Sequence, residues 1–384
     1  MFRSSWRCLA PVAAVVVAAC GDQTGPSDVL LPQGQIVVGF NHTCYLNVDG
    51  RVHCWGWGGL GQLGNGDTVS VRDPRLVMTD QRFIQLAAGS NHTCALNAEG
   101  AAYCWGAQVY GELGTGTMMG FADQPLPVSG GIRFQQLAVG DGHTCGVAAG
   151  GEIFCWGLNI AGQLGMGATG DLALPTRVAS ALRFTQVGAG LNVTCGITTD
   201  SHAYCWGDNT WGQLGTGTIG GSSADPVAVG GSGLYRSVSV GSFVVCAVTL
   251  ERDAHCWGLG TFGRLGNGEA LEQPVADPTL VVGGIKYGSL VVGAQHSCAV
   301  AIDQQGFCWG LNTYGKLGDD VGPAGLQPSV VSGGHLFTEA GAGSNHSCGV
   351  TPQGEVYCWG QNFLGQLGVP GQTKPTFTPR RVIF

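Results

Sequence analysis

The sequence predicts an all-β protein, a seven-bladed β-propeller with four strands in each blade. A segment recurs seven times, with successive first cysteines 50 to 52 residues apart, and a period of this length is typical of propellers. Each copy has a second cysteine ten residues after the first, followed by Trp-Gly and then by Gly-x-Leu-Gly. Glycine provides 68 of the 384 residues, and helical periodicity is missing after residue 20, so short strands and turns must fill the repeat.

The repeats occupy most of the chain. We assign residues 1–19 to a targeting segment, 20–33 to a tether and 34–384 to the propeller. The copies run at about 34–82, 83–132, 133–182, 183–233, 234–285, 286–335 and 336–384. The last strand of each copy is expected to begin near a proline, such as Pro74. We expect blades to be offset from copies, so that the C-terminal strand completes a blade with residues 35–60 and leaves no exposed edge.

The paired cysteines predict one disulfide-stapled hairpin in each blade. In the second copy, placing Cys94 opposite Cys104 leaves the loop Ala98-Glu99-Gly100, with glycine where a left-handed residue is needed. The cysteines then form a non-hydrogen-bonded pair, whose α-carbons are close enough for a disulfide. The turn glycine is replaced in three copies, by Ser201, Arg252 and Gln304. The predicted disulfides are Cys44–Cys54, Cys94–Cys104, Cys145–Cys155, Cys195–Cys205, Cys246–Cys256, Cys298–Cys308 and Cys348–Cys358.

The N-terminal residues predict export from the cytoplasm. Arg3 and Arg7 precede an apolar run that is too short to span a bilayer. The run ends in Val17-Ala18-Ala19-Cys20, which resembles a bacterial lipoprotein box with Cys20 as the lipidated residue; a secretory signal with a chance cysteine is the alternative. Sixteen cysteines less Cys8 and Cys20 leave fourteen, all in the predicted pairs, which require an oxidising compartment. We expect a bacterial cell-envelope protein that contacts the membrane through its lipid anchor.

The charge of the chain disfavours one class of partner. Only 11% of the residues are charged, the formal net charge is -8, and no cluster of Lys or Arg occurs. Binding to nucleic acid requires a basic surface that replaces counterions. We therefore predict no nucleic-acid partner.

The repeat resembles that of a known family. Residues 86–96, Leu-Ala-Ala-Gly-Ser-Asn-His-Thr-Cys-Ala-Leu, with Trp105-Gly106 and Gly111-Glu112-Leu113-Gly114, are similar to the repeat of the regulator of chromosome condensation family. The resemblance implies a seven-bladed propeller without implying one activity, since members include a nuclear guanine-nucleotide exchange factor, plant light-signalling proteins and secreted bacterial proteins, one of which inhibits β-lactamases. The targeting segment, and cysteine where intracellular members usually have an aliphatic residue, leave exchange activity as a distant alternative.

Five copies carry histidine two residues before the first cysteine, at His42, His92, His143, His296 and His346. A zinc site needs ligands that converge on one point, whereas these cysteines are spread around a ring and already paired. Val193 and Val244 replace histidine in the other two copies. We interpret the histidines as hydrogen-bonding residues at strand ends and predict no metal site.

The fifth position after each repeat tryptophan is mostly large and apolar: Leu60, Tyr110, Ala161, Trp211, Phe262, Tyr314 and Leu364. Such side chains either fill the gaps between blades or, with Trp57, form a platform for a sugar or a partner protein. Packing is the favoured interpretation, with Trp57 and Trp211 as the expected exceptions because their copies carry an additional tryptophan. The candidate platform consists of Trp57, Tyr110, Trp211, Phe262 and Tyr314.

The sequence predicts a monomeric binding protein rather than an enzyme. No Ser/His/Asp or Cys/His set recurs at catalytic spacing, so we predict no catalytic residue and no cofactor. Dissimilar loops on a rigid scaffold suit recognition of an extracytoplasmic protein or cell-wall glycan. The segments that differ between copies are 65–73, 115–124, 166–174, 216–225, 267–277, 319–327 and 369–378. The alternative is an enzyme acting on envelope polysaccharide or peptide, with converging acids at the channel mouth.

Overall fold

Seven sheets of four antiparallel strands follow one another along the chain. The computed structural model describes residues 34–270, 272–320 and 322–384, so the predicted targeting segment and Cys20 lie outside the described residues. Two short 3-10 turns, Thr261–Gly263 and Thr313–Gly315, are the helical elements of these ranges. No helix within them has the length and apolar character needed to cross a membrane.

The predicted fold is confirmed, since each of the seven blades contains four strands paired in chain order. Blades 1 to 4 comprise β1 (Gln35–Val38), β2 (His42–Leu46), β3 (Val52–Gly56), β4 (Val71–Leu76); β5 (Phe83–Ala88), β6 (His92–Asn97), β7 (Ala102–Ala107), β8 (Phe121–Pro127); β9 (Phe134–Val139), β10 (His143–Ala148), β11 (Ile153–Gly157), β12 (Leu172–Arg177); β13 (Phe184–Ala189), β14 (Val193–Thr198), β15 (Ala203–Asp208) and β16 (Ser222–Ala228). Blades 5 to 7 comprise β17 (Tyr235–Val240), β18 (Val244–Thr249), β19 (Ala254–Gly258), β20 (Val275–Leu280); β21 (Tyr287–Val292), β22 (His296–Ala301), β23 (Gly306–Leu311), β24 (Ala324–Val330); β25 (Glu339–Ala342), β26 (His346–Val350), β27 (Val356–Gly360) and β28 (Thr376–Arg381).

The disulfide-stapled hairpins are also confirmed. The second and third strands place the two cysteines of every copy opposite each other, and seven disulfides join them at Cα–Cα distances of 4.0–4.1 Å. The turn residue is left-handed even where glycine is replaced, with φ of 70°, 69° and 71° at Ser201, Arg252 and Gln304. The short stapled hairpin therefore imposes this turn conformation on residues that disfavour it.

The fourth strand forms the outer edge of each blade and begins before its proline. Pro74 lies inside β4 rather than at its start, and the register against β3 shifts between Cys54 and Gly56. An edge strand with a bulge tolerates proline because the missing N–H has no partner strand on the outer side. The proline and the bulge together protect the open edge from pairing with another chain.

The expected offset between copies and blades is wrong. The C-terminal strand β28 pairs with β27 of its own copy, and blade 1 is complete without it. The ring closes through side chains instead: Trp55 Nε1 donates to the Gln366 carbonyl at 2.9 Å, and the Phe384 ring lies 5.1 Å from that of Tyr45. The same tryptophan contact joins most other blades, so the last junction needs no exchanged strand.

The apolar core lies between neighbouring blades. One cluster combines Tyr45 and Trp55 of blade 1 with Cys348, Cys358 and Leu367 of blade 7. All seven repeat tryptophans are at most 1% exposed, and burying a large apolar side chain stabilises a fold by roughly 1.5–3 kcal/mol. Each indole therefore fills a core, and six of the seven also join two blades through the N–H, whereas Trp206 Nε1 has no partner among the described residues.

Candidate functional site

The loops that differ most between copies share one end of the ring. Because consecutive strands are antiparallel, the loops between the first and second strands open at the same end as those between the third and fourth. We call this end the loop face. The opposite end, which carries the stapled turns and the connections between blades, is the hairpin face. All the variable segments predicted from the sequence join third and fourth strands and lie on the loop face.

The central channel opens on the loop face through a narrow mouth. Residues from every blade line it, such as Val38, Gly39 and Phe40 of blade 1, around a volume of about 100 Å³. A Cβ atom at Gly89 would lie 1.9 Å from the Gly140 carbonyl oxygen, so the first strands approach this closely only because the position is glycine. Pockets that bind small molecules usually have at least about 300 Å³, so the mouth does not resemble a substrate pocket.

One acid lines the mouth, and a second lies buried close to it, where it holds a loop. Asp141 is the charged residue among the described residues that line the mouth, and Glu112 of the preceding blade is 2% exposed. The Glu112 Oε2 atom accepts the Tyr110 N–H at 2.7 Å. Burial raises the pKa of Glu112, and the charge of Asp141 raises it further. These groups do not present two accessible carboxylates to a substrate.

Most of the candidate platform is exposed on the loop face. The exposed fractions are 39% for Tyr110, 37% for Trp211, 52% for Phe262 and 36% for Tyr314. Trp57 differs, because it is half-buried. Its indole lies against its own loop, where Nε1 is 2.9 Å from the position that a Cβ atom on Gly59 would take. Tyr110 reaches Gly142 of the next blade. Tyr110 therefore covers a junction between blades, and all four exposed members present apolar surface to solvent.

Further apolar residues lie beside the platform, at the fourth position after the tryptophan. Val109 is 55% exposed, Ile160 66% and Phe363 49%. The Phe363 and Tyr314 rings, which belong to neighbouring blades, are 5.4 Å apart. Sequence reasoning missed this set because it followed only the fifth position of the repeat; comparing the adjacent position across copies would have found it.

The residue between Gly and Leu of Gly-x-Leu-Gly holds the loop that presents this surface. In five blades this residue is buried Gln or Glu, and its side-chain oxygen accepts the N–H two positions earlier. In blade 4, for example, Gln213 Oε1 accepts the Trp211 N–H at 2.6 Å. In these five blades, the bond ties the backbone of the fifth-position residue to a buried side chain.

Blades 5 and 6 have Arg264 and Lys316 at this position, and neither side chain can accept a hydrogen bond. The residue two positions earlier becomes left-handed in both, with φ of 62° at Phe262 and 65° at Tyr314. The loss of the acceptor thus coincides with a different backbone conformation beneath these two aromatic residues.

The five histidines form hydrogen bonds between blades. His92 Nε2 lies 2.8 Å from Thr144 Oγ1, and that hydroxyl donates to the Glu112 carbonyl at 2.8 Å. The imidazole is therefore the donor in the first bond. The same arrangement recurs at His42, His143, His296 and His346.

These imidazoles are neutral. Burial lowers the pKa of His92 to about 3 and that of His143 to about 4. The cysteines nearby are all in disulfides. Across the described ranges, no group of three or more His, Cys, Asp or Glu side chains is placed to hold a metal ion.

Self-contained blades, each with a buried tryptophan and a Gly-x-Leu-Gly loop, define a repeat propeller with a variable loop face. The family model described as the RCC1-like domain matches residues 19–297. Models of the regulator of chromosome condensation (RCC1) repeat match residues 337–366 and 353–384. The chain belongs to the RCC1-like family, which confirms the resemblance seen in the sequence.

Individual relatives agree with this assignment. The chain is 28% identical over 302 residues to the ultraviolet-B receptor UVR8 of Arabidopsis thaliana, a match that covers 77% of this chain and 46% of that protein. The chain spans about half the length, or less, of the curated relatives it matches.

Solved structures show the same fold. Prp20p of Saccharomyces cerevisiae is similar with a TM-score of 0.79 and 23% identity, covering 89% of this chain and 88% of that one. Yeast RCC1 (Prp20) bound to Kap60 gives a TM-score of 0.79 and 22% identity, covering 97% and 91%.

Proposed function

We propose that this chain is a non-enzymatic propeller that binds a partner protein with its loop face. The observation that carries the proposal is the set of exposed aromatic and aliphatic side chains at equivalent positions of successive blades, from Tyr110 to Phe363. Apolar surface gathered in one region of a soluble protein marks an interaction site, and Tyr, Trp and Phe are enriched at the centres of protein interfaces.

Two further observations support a protein as the partner. The channel mouth of about 100 Å³ is too small for a ligand of ordinary size, which favours recognition by the surface of the loop face around it. Prp20p has binding properties toward Gsp1p and histones, and yeast RCC1 (Prp20) has been solved bound to Kap60. Cell-wall glycan is a second candidate, favoured by the exposed indole of Trp211.

The proposal includes an extracytoplasmic location with a lipid anchor at Cys20. Its support is the apolar run that ends at this cysteine and the seven disulfides formed by all fourteen remaining mature cysteines, a pattern expected in an oxidising compartment. Labelling with an alkyne fatty acid in the producing bacterium should mark the wild type and spare Cys20→Ser. An unlabelled wild type would contradict the anchor.

The binding face can be tested with two matched triple variants. One replaces Tyr110, Trp211 and Tyr314 by serine on the loop face. The control replaces three exposed residues of the hairpin turns by serine: Val48, Leu250 and Ile302, which are 65%, 48% and 60% exposed. Near-ultraviolet circular dichroism and the absence of free thiols establish that both variants are folded.

Each protein is used to capture partners from envelope extract, and the captured proteins are quantified by mass spectrometry. We expect at least one protein to be retained by the wild type and by the control and to fall about tenfold with the loop-face variant, as for loss of interface anchors. Equal retention by all three proteins would refute the loop face as the binding surface. Sedimentation with purified cell wall, lost only in the loop-face variant, would favour the glycan instead.

A further inference from the structure

Blades 5 and 6 bury two cations where the other blades bury Gln or Glu. Arg264 is 5% exposed and Lys316 0%. None of the five ion pairs in the described part of the chain includes either residue. An unpaired buried charge is unfavourable. Two such cations are unexpected in a chain whose net charge is -8.

Two of the three guanidinium nitrogens of Arg264 lack a hydrogen-bond acceptor in the part of the chain that the structure describes. Its Nε and Nη1 atoms are buried without a partner among the described residues. Its carbon atom Cζ lies 5.8 Å from the ring centre of Phe243 and 5.7 Å from that of Phe262. Stacking on two rings holds the planar group in place, while its donors remain unsatisfied.

Blade 3 shows where an acceptor for a side chain at this position can lie. In blade 3, the equivalent residue Gln163 donates from Nε2 to Asn192 Oδ1 of the next blade at 3.1 Å. The residue equivalent to Asn192 for Arg264 is Gln295, whose Oε1 accepts from Lys316 Nζ at 3.2 Å. The oxygen equivalent to the acceptor of blade 3 therefore bonds to Lys316 rather than to Arg264.

Lys316 is bonded but not neutralised. Its Nζ donates to Gln295 Oε1, to the Ser344 carbonyl at 3.3 Å and to Asn345 Oδ1 at 2.9 Å, all uncharged oxygens. Burial, and then the charge of Arg264, lower the pKa of Lys316 to about 7. All three N–H donors of the Lys316 ammonium are therefore in use, so Lys316 contributes positive charge rather than a free donor. An anion held by the free donors of Arg264 would offset this positive charge.

We propose that Arg264 and Lys316 form an anion subsite on the loop face that takes a carboxylate group. A guanidinium fork with free donors matches the two oxygens of a carboxylate. The subsite lies at the base of Phe262 and beside Tyr314, which are 52% and 36% exposed. An acidic residue of the partner would therefore be bound next to apolar anchors. The inference that a partner protein supplies the carboxylate rests on the proposed function; the alternative source is a small carboxylate from solution.

The subsite is tested first with acetate alone, on the mature protein with its disulfides intact. The readout is the NMR signal of the Arg264 Nε–H group, titrated with sodium acetate and, at equal ionic strength, with sodium chloride. We expect a saturable shift with acetate and, in Lys316→Gln, binding weakened about tenfold because one charge is lost. The control Lys286→Gln removes an equal charge from the hairpin face, where Lys286 pairs with Asp253 at 2.8 Å, and should bind acetate like the wild type.

No saturable shift with acetate would overturn the proposal, and so would equal binding by chloride or an equal loss in Lys286→Gln. The partner from the capture experiment then identifies the source of the carboxylate. If the partner supplies it, Arg264→Gln lowers the affinity for the partner about tenfold and acetate competes. If affinity for the partner is unchanged while acetate still binds, the carboxylate comes from solution. A failure of the loop-face variant to lose any partner refutes the proposed function and leaves the acetate result standing.

Discussion

In two sectors of the ring, different contacts join neighbouring blades. Between blades 1 and 2, His42 Nε2 bonds to Thr93 Oγ1 at 2.9 Å, whereas the same positions between blades 4 and 5 are Val193 and Val245, which share one apolar cluster. Where only one side has changed, between blades 5 and 6, Ser297 Oγ is buried without a partner. A junction can thus exchange its polar bond for an apolar contact, but both sides must change together.

We call the junctions from blade 7 through blades 1, 2 and 3 to blade 4 the regular sector, and those from blade 4 through blades 5 and 6 to blade 7 the altered sector. The regular sector uses its buried polar groups to hold loops and join blades. The altered sector contains Arg264, Lys316 and the unpaired Ser297. Residues that depart from the repeat without gaining a compensating contact are expected at functional sites. The proposed anion subsite lies in the sector that contains such residues.

Lowering the pH should produce the largest effect, because it protonates the buried imidazoles of the regular sector. Burial lowers the pKa of His42 to about 4 and that of His346 to about 3, below the value of the unfolded chain. Stability from each group is therefore present above about pH 6.5 and lost as the pH falls toward the folded pKa. From pH 7 to pH 5, the free energy of unfolding should fall by roughly 2 kcal/mol for each imidazole, measured by guanidinium denaturation with disulfides intact.

The double variant His143→Val/Thr194→Val copies the junction between blades 4 and 5. It should show a smaller acid loss than the wild type, by the contribution of one imidazole. A pH dependence equal to that of the wild type would mean that His143 is not neutral in the fold.

Moving a cation into the regular sector should have the next largest effect. Gln163 is fully buried, its Oε1 accepts the Ala161 N–H at 2.9 Å, and no phenylalanine lies at the position equivalent to Phe243. Gln163→Arg should lower the free energy of unfolding by about 3 kcal/mol, the usual cost of an uncompensated buried charge. Urea denaturation measures it, with Gln163→Glu as the control that keeps the acceptor. A loss of equal size in both variants would show that the cation is not the cause.

A third expected effect concerns the side chain that joins the first strands of neighbouring blades. This side chain is glutamine in blades 1 to 4 and Glu339 in blade 7. Gln35 donates to the Leu86 carbonyl at 3.2 Å and accepts its N–H. At the last junction, Glu339 Oε2 accepts the Ile36 N–H at 2.8 Å. Burial raises the pKa of Glu339 to about 7. The carboxyl group therefore stabilises the fold most when it is protonated.

Because the folded pKa exceeds the unfolded value, stability from Glu339 is complete at low pH and is lost as the pH rises toward and through 7. Glu339→Gln, which copies the residue of blades 1 to 4, should leave stability unchanged near pH 4.5 and raise it by on the order of 2 kcal/mol at pH 8. Denaturation curves at both pH values measure the difference between the two proteins. A difference independent of pH would exclude titration of Glu339 as its cause.

The smallest expected effect comes from restoring the regular residue in the altered sector. Arg264→Gln removes an unpaired buried charge and supplies an acceptor for the Phe262 N–H. The free energy of unfolding should increase by about 1 kcal/mol, although acetate binding is lost. Thermal and urea denaturation measure the change. A clear decrease in stability would indicate that the ring contacts of Arg264 with Phe243 and Phe262 outweigh the cost of its charge.

Much of the fold was predictable because its causes are local and repeated. Cys94 and Cys104 are ten residues apart, and the disulfide register follows from counting along one hairpin. The candidate site was predicted less well. The platform at Tyr110 and Phe262 was found, but packing was the favoured interpretation of that position, and the neighbouring Phe363 was missed. Exposure depends on how a side chain lies against the next blade, which no single copy specifies.

From the sequence alone, the number of blades and the stapled hairpins were determined, because they depend on contacts within one hairpin and on a sevenfold period that can be counted. Only the tertiary structure decided how the ring closes, which histidine contacts which hydroxyl, and that Gln295 bonds to Lys316 while Nε and Nη1 of Arg264 have no acceptor among the described residues. These contacts join residues from different strands or blades, and their geometry arises only when the whole ring is assembled.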